Sequence, residues 1–589
     1  MKMKLSDYVF TFLRNHGIDA VFFLPGGGCM HLVDSLGSSG INAVSLLHEQ
    51  AVSIACESYA NTAEKPCAAL VTTGPGATNT VTGVLAAYLD SSPCFFVSGQ
   101  VKTADLKSRY GVRALGSQEA DIVSIVKPVT KYAVMVTDRL SIRYHLERAW
   151  HEMISGRRGP VWIDIPLDIQ AAQIEPNELE GFTATGQTGN VDVTPVINAL
   201  NESARPVIVA GNGLAGCRNT FLALMEFLQI PVIPTWKAMD YLPNDHPLYA
   251  GRAGGMGDRF GNLTMQNADL ILSLGSRLDF SITGYDRVEW APGAEKIVVD
   301  IDPTEIAKLE GVTSLTPVAA HIGDVCSELL SRRSEIRVRD LTGWKERIRK
   351  WQAGYPVVTL EKYTTAAGKL TTYALVDTLS RHLPEGAFVA PCSSGTTAEI
   401  FFQAFTVKRG QVIRSNHGLG SMGFEIPNAI GMCVASGGKD VVCIAGDGGM
   451  QLNIQELAVV SGRKLPVKLF VVNNGGYASI RNMQNNHFQG RRVACDRDSG
   501  LFLPDSKGIA AAYDLPYCVA DSMETLNDTI EAALRMPGPV LCEIIVDGEC
   551  LVSPRTSTRV MPDGSMRSSP LENQFPFLPD EEMKENMLM

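Results

Sequence analysis

The chain has no run of about eighteen apolar residues, so no membrane span is expected. It also lacks a basic excess. The 52 Lys and Arg are outnumbered by 63 Asp and Glu, and a net charge of −11 argues against a nucleic-acid partner held by a general basic field. Metal-ligand spacing is missing too. The 13 cysteines are scattered from Cys29 to Cys550 without a CxxC pair, and the 10 histidines form no zinc pattern. These thiols read as reduced and mostly buried. Nor does "MKMKLSDYVFTFLRNHG" lead into a signal-peptide core: Asp7 and Arg14 sit inside an amphipathic pattern, and a cytoplasmic protein is the expectation. What remains is an ordinary globular composition, 45% hydrophobic and 20% charged over 589 residues.

Apolar runs that end in Gly/Pro turns alternate with helical stretches in three blocks. In residues 1–175 the runs are "AVFFLPGGG", "CAALVTTGPGATN", "CFFVSGQV" and "GPVWIDIP". A polar stretch at 175–192 reads as a linker. Block two, 190–335, carries "RPVIVAGNG", "DLILSLGSRLD" and "EKIVVDIDP". After a charged helical connection at about 331–372, block three (365–550) carries "GAFVAPCSSG", "DVVCIAGDGG", "VKLFVVNNGG" and "PVLCEIIVDG". Continuous apolar runs of this kind are typical of parallel sheets covered on both faces. Three doubly wound α/β domains are expected, followed by an irregular tail at 551–589.

Block three holds the most specific motif. Gly446-Asp447-Gly448 ends one strand, and Asn473-Asn474 ends the next, with a helix and a strand filling 449–472 between them. Adjacent parallel strands would set Asp447 and Asn474 side by side at their carboxyl ends, where open α/β sheets bind ligands. A carboxylate, an amide carbonyl and a nearby main-chain carbonyl, assigned to Gly476, are hard oxygen donors suited to Mg²⁺ that also holds phosphate. A helix from Gln451 is expected to aim free N–H groups at the same point, and Gly449 permits close approach. In block one, "LLHEQAVSIACESYA" starts an apolar helix with Glu49. A first-turn glutamate is often only a partner of the helix dipole.

The GDG–NN pair resembles the thiamine-diphosphate motif of the acetolactate synthase, pyruvate oxidase and pyruvate decarboxylase superfamily. The resemblance to its acetolactate synthase branch covers about residues 4–550 and implies a role for Glu49. There, a glutamate bonded to the cofactor's pyrimidine N1′ favours the imino tautomer that removes the thiazolium proton. It further implies cofactor contacts from Thr72, Pro75 and Asn79 in "VTTGPGATN", an active-site Gln118, and Gly420 and Met422 beneath the cofactor. Gly395 would sit at the diphosphate, where Thr396 and Thr397 stand for the family's Gln and His and can still donate hydrogen bonds.

Block two resembles the family's FAD domain. Gly211, Gly213 and Gly216 form G-x-G-x-x-G after a strand. Gly251, Gly254 and Gly257, then Arg277 and Asp279, then Asp300 and Asp302, then Asp324 follow in family order. Structural FAD is the implied ligand, although relatives that keep the fold empty would show the same turn glycines.

Departures from the family gather at the acceptor side. Ser281 stands for an arginine that clamps the second oxoacid, Met483 for a tryptophan, Ser117 for a phenylalanine and Leu167 for a lysine. Arg481 or the pair Arg491–Arg492 could serve an acidic acceptor, or form a solvated loop face. The resemblance implies a carboligase that decarboxylates pyruvate and passes the resulting hydroxyethyl carbanion to a ketone or aldehyde. Losing the clamp points to a different acceptor. Together with the unusual tail, the pattern resembles the acetolactate-synthase-like enzymes of deoxysugar pathways, which implies a nucleotide-linked deoxy-keto-sugar. Acetolactate synthase itself, a pyruvate oxidase or decarboxylase, and a catalytically dead relative are the alternatives. Glu49 and Asp447 lie in different domains, and the family builds each site across a homodimer, in some cases within a tetramer.

Overall fold

The computed structural model describes all residues except 1, 185–190, 561–562, 564–565 and 589. The expected linker therefore lies in part, at 185–190, outside the described residues.

Three parallel sheets, each with helices on both faces, organise the chain. The N-terminal sheet orders its strands Asn42–Ser45, Ala20–Phe23, Cys67–Val71, Cys94–Gln100, Val161–Pro166, Tyr132–Met135. The C-terminal sheet repeats that order with Val412–Ile413, Phe388–Ala390, Val441–Gly446, Val467–Asn473, Val540–Ile545 and Tyr517–Ala520. Between them lies a central sheet of Val232–Pro234, Pro206–Ala210, Leu270–Leu274, Glu295–Asp300 and Leu315–Ala319. In all three the first strand has the second on one side and the third on the other. The chain reverses direction across the sheet there, and a crevice opens at the strand ends.

Side-chain alternation explains why the runs are apolar throughout. Phe95 and Val97 of one strand enter the core on one face, under the helix Leu5–Asn15, while Phe96 enters the core on the other. That second core is shared between domains: the helix Glu49–Ala63 packs on Glu425–Ala435 of the C-terminal domain. Ser58 Oγ donates to Asn428 Oδ1 at 2.6 Å across this contact.

The charged connection folds as the helix Thr342–Gly354, whose Trp344, Ile348 and Trp351 join the central core. The tail is irregular over much of its length but firmly held. It carries a hairpin, Thr558–Val560 with Met566–Ser568, and a last helix, Asp580–Asn586. Leu571 is buried in the central core, and Leu588 N donates to Asn267 Oδ1 at 2.6 Å.

Candidate active site

The C-terminal crevice opens between Phe388–Ala390 and Val441–Gly446. Asp447 and Asn474 do stand at the ends of two adjacent strands, paired in register up to Gly446 with Val472. Asp447 Oδ1 accepts from Gly448 N and Oδ2 from Gly476 N, both at 2.9 Å. Burial pushes the Asp447 carboxyl up to about 6, against the pull of these N–H groups. Gly476 has φ +125°, and a Cβ there would lie 2.4 Å from Cys495 O, so only glycine closes this turn. Among the described residues the buried Asn474 Oδ1 has no hydrogen-bond partner. An orphaned carbonyl beside a buried carboxylate is what a hard cation would satisfy.

The neighbouring residues form an anion cradle. Gly395 (φ +77°) opens the helix Gly395–Ala404, with Thr396 and Thr397 in its first turn. Both threonines are buried, and their hydroxyls and the free N–H groups of this first turn are donors suited to phosphate oxygens. The helix expected from Gln451 is different. Gly449–Glu456 is a 3₁₀ segment broken at Asn453 (φ −138°, ψ 34°), and regular helix begins only at Leu457. The Asn453 amide donates to Gly423 O and to Gln50 Oε1, and these bonds hold the backbone out of the helical form.

Glu49 is the first residue of Glu49–Ala63, whose N-cap His48 accepts from Gln50 N at 3.1 Å. Its carboxylate is 9% exposed, and Oε2 accepts from Asn79 Nδ2 at 3.0 Å. Thr72 wedges between the glycine turns: Cβ atoms at Gly26 or Gly76 would sit 2.5 and 2.6 Å from its side chain. Pro75 opens the short helix that carries Asn79 at its end. The hydrogen bonds of the Glu49 carboxylate stay within its own domain, as do those of Asp447. Met422 is half-buried after Gly420 (φ +67°). Gln118 and Ser117 lie exposed on a loop, Gln118 with φ +64°, and Leu167 is half-buried after the strand Val161–Pro166.

The central crevice contains a cavity of about 270 Å³ where the three domains meet. Its lining includes Gly213, Arg277, Asp279, Ser281 and Asp300, but not Gly211, Gly216, Gly254, Gly257, Asp302 or Asp324. The glycines outside it have structural reasons. A Cβ on Gly211 would lie 2.2 Å from Gly275 O, and one on Gly254 would lie 1.9 Å from Ser281 O. Gly257 would meet Arg252 O at 2.2 Å, and Gly216 adopts φ +81°. Asp302 caps a helix and pairs with Arg157 at 3.0 Å, and Asp324 lies in the first turn of Ile322–Ser331. His417 Nδ1, on the cavity wall, is buried without a partner. The volume is just under the usual lower bound for ligand sites.

On the acceptor side, Ser281 Oγ bonds Asp279, which also pairs with Arg277 at 2.7 Å. Met483 is 45% exposed. Arg481 fits neither expectation, because it is 5% exposed and donates to Asn474 O at 2.9 Å and Gly548 O at 2.7 Å. Its work is to hold the Asn474 loop. Arg492 pairs with Asp496 at 3.0 Å, and Arg491 is exposed.

Two buried carboxyls were missed. Glu456 accepts from Leu47 N at 3.1 Å, gripping the turn before Glu49. Glu425 keeps one buried oxygen without a partner close to Gly449, and burial pushes it up to about 7. Each is a lone acid heading an apolar helical run, in "QELAVV" and "EIPNAIG", the same signal that marked Glu49.

Comparison with known proteins agrees with this layout. Residues 3–125, 193–329 and 393–544 match, in turn, the N-terminal TPP binding, central and C-terminal TPP binding domains of the thiamine pyrophosphate enzymes. The chain is 32% identical over 569 residues to the acetolactate synthase isozyme 3 large subunit of Escherichia coli K12, covering 93% of this chain and 96% of that one. It is 31% identical over 562 residues to the acetolactate synthase large subunit of Corynebacterium glutamicum, covering 92% and 87%. To the Escherichia coli isozyme 1 large subunit it is 30% identical over 562 residues, covering 93% and 95%. With its three-sheet fold and its full-length similarity, the chain belongs to the thiamine-pyrophosphate-dependent enzymes of the acetolactate synthase-like superfamily.

Proposed function

We propose that the protein is a carboligase that decarboxylates pyruvate and joins the two-carbon unit to a second carbonyl compound, using thiamine diphosphate and Mg²⁺. The observation that carries this reading is the orphaned Asn474 carbonyl beside the buried Asp447 carboxylate. Those two groups, with the main chain near Gly476, would hold the metal, and Thr396 and Thr397 would hold the diphosphate. When bound, thiamine diphosphate supplies a nucleophilic thiazolium carbon and an electron sink for the bond broken on losing CO₂. Glu49 would hold a proton at the pyrimidine N1′, with Asn79 fixing the carboxylate's orientation. Met422 would support the cofactor from below, and Gln118 would orient the substrate carbonyl. A homodimer with sites shared across its interface is the arrangement we favour, with Glu49 and Asp447 supplied by different domains. FAD, in a structural role, is the ligand we assign to the central crevice, with Arg277 and Asp300 in the wall of the three-domain cavity, whose volume of about 270 Å³ would take part of the dinucleotide.

The relatives' names support a second oxoacid as acceptor, that is, acetolactate formation. One observation favours a different acceptor. Ser281 is bound to Asp279, and the nearby Arg277 is paired to the same carboxylate, so the guanidinium beside Ser281 is already engaged. A neutral ketone or aldehyde, including a nucleotide-linked deoxy-keto-sugar, fits that pocket. Competition tests the choice: pyruvate at fixed concentration, with and without candidate ketones, following both products. Ser281→Arg should move the ratio toward acetolactate. If acetolactate dominates against every ketone and the ratio ignores the substitution, the oxoacid reading stands.

A further inference from the structure

We propose that Thr73, Gln100 and Asp164 form a buried chain of positioning residues that fixes Gln118 at the mouth of the site. This rests on the reading of Gln118 as a substrate-orienting group. Asp164 and Gln100 are 0% and 1% exposed on neighbouring strands, Asp164 opposite Ser98 inside its strand and Gln100 at the end of its own. Asp164 Oδ1 accepts from Ser98 Oγ at 2.6 Å, and that hydroxyl in turn accepts from Trp162 Nε1 at 2.8 Å. Asp164 Oδ2 accepts from Gln100 Nε2 at 3.0 Å. The same amide donates to Ala120 O at 2.8 Å, and its oxygen accepts from Thr73 Oγ1 at 2.9 Å and Val101 N at 3.0 Å. Every hydrogen-bonding position of the Gln100 amide is therefore used, which fixes its orientation.

The far end of the chain brackets Gln118. Ala120 lies two residues beyond it, and Thr73 Oγ1 approaches Gln118 O at 3.4 Å. Gly74, next to Thr73, is pressed so close that a Cβ would stand 2.2 Å from Gln118 O. Gln118 itself adopts φ +64°, a conformation that L residues hold only when their surroundings impose it. From outside, Glu119 folds the loop over by accepting from Lys107 N and Leu115 N at 2.6 and 2.8 Å. An exposed loop residue is thus clamped by a polar chain that reaches the centre of the sheet. Among the described residues the Asp164 carboxyl has these two donors and no ion pair, which makes it a costly way to fill space.

A double-mutant cycle on the holoenzyme tests the chain. Thr73→Val keeps the shape and removes the hydroxyl. It should leave thermal unfolding and thiamine diphosphate binding within twofold of wild type while lowering kcat for pyruvate about five- to twentyfold. Thr73→Ser, which keeps the hydroxyl, should stay within twofold. Gln118→Ala should lower kcat at least as far, and the double variant should be no worse than Gln118→Ala alone. Losses that multiply would overturn the proposal, because Thr73 would then act independently of Gln118. If Gln118→Ala turns over at the wild-type rate, the role of Gln118 falls and the proposal with it, a different result from multiplying losses. Should Thr73→Val not fold, Thr73→Ala carries the same cycle.

Discussion

Arg481→Met should weaken the protein's hold on Mg²⁺ rather than on the acceptor. Methionine fills most of the volume, but the two short bonds to Asn474 O and Gly548 O are lost. Hydrogen bonds from a charged donor contribute about 1.5–3 kcal/mol each. Water can reach the freed carbonyls in part, so about half of the combined effect, roughly 1.5–3 kcal/mol, should reach the Asn474 loop as lost order. Each 1.4 kcal/mol is about tenfold, which predicts a ten- to hundredfold rise in the Mg²⁺ concentration for half-activation. The measurement is a Mg²⁺ titration of chelator-stripped protein at saturating thiamine diphosphate, followed by intrinsic fluorescence and turnover together. An unchanged Mg²⁺ midpoint with a raised KM for the acceptor would refute the reasoning and return Arg481 to the substrate pocket.

Three further outcomes are expected. Glu49→Gln should fold and bind thiamine diphosphate, yet turn over pyruvate at least about a hundredfold more slowly, as stopped-flow CO₂ release would report. Replacing Thr396 and Thr397 together by valine should cost about 1 kcal/mol per lost hydrogen bond, so thiamine diphosphate affinity by calorimetry should fall roughly ten- to thirtyfold. Burial pushes Asp164 from 3.8 to about 7, with Asp121 adding to the rise. A raised carboxyl stabilises the fold fully below its unfolded pKa, and that contribution is lost as pH rises through the folded value. The change in Tm on Asp164→Asn should therefore be more favourable at pH 8 than at pH 5; equal changes at both would exclude a titrating Asp164.

The strands and the Asp447–Asn474 pair were legible because each follows from a local pattern, an apolar run closed by glycine or acid, repeated at the spacing of a helix and a strand. Glu49 was legible for a related reason, as an acid where an apolar helix begins. Arg481 was not: an arginine in "NNGGYASIRN" reads as solvated until the fold wraps Gly548 around it, and a Cβ at Gly548 would meet its guanidinium at 1.8 Å. The G-x-G-x-x-G turn was visible, but its reason was not. Gly211 is dictated by the backbone of Gly275, 64 residues away by number, rather than by a ligand. The break at Asn453 likewise depends on a glutamine from another domain, a partner that no helical periodicity can reveal.

The seating of the tail sets the order in which the molecule can be finished. Leu571, Met587 and Leu588 complete the core of a domain whose first strand begins near Pro206. Gln574 is wholly buried against the Gly254–Gly257 turn, donating to Gly257 O at 3.1 Å. Emerging from a ribosome, the N-terminal sheet has all its strands once Pro166 is made, and only the face shared with Glu425–Ala435 waits for the C-terminal domain. The central core waits longer, because Leu571, Met587 and Leu588 follow the whole C-terminal sheet in the chain. The sheet that carries Glu49 is thus assembled before the central core is sealed, and a chain released a few dozen residues early would leave that central core open.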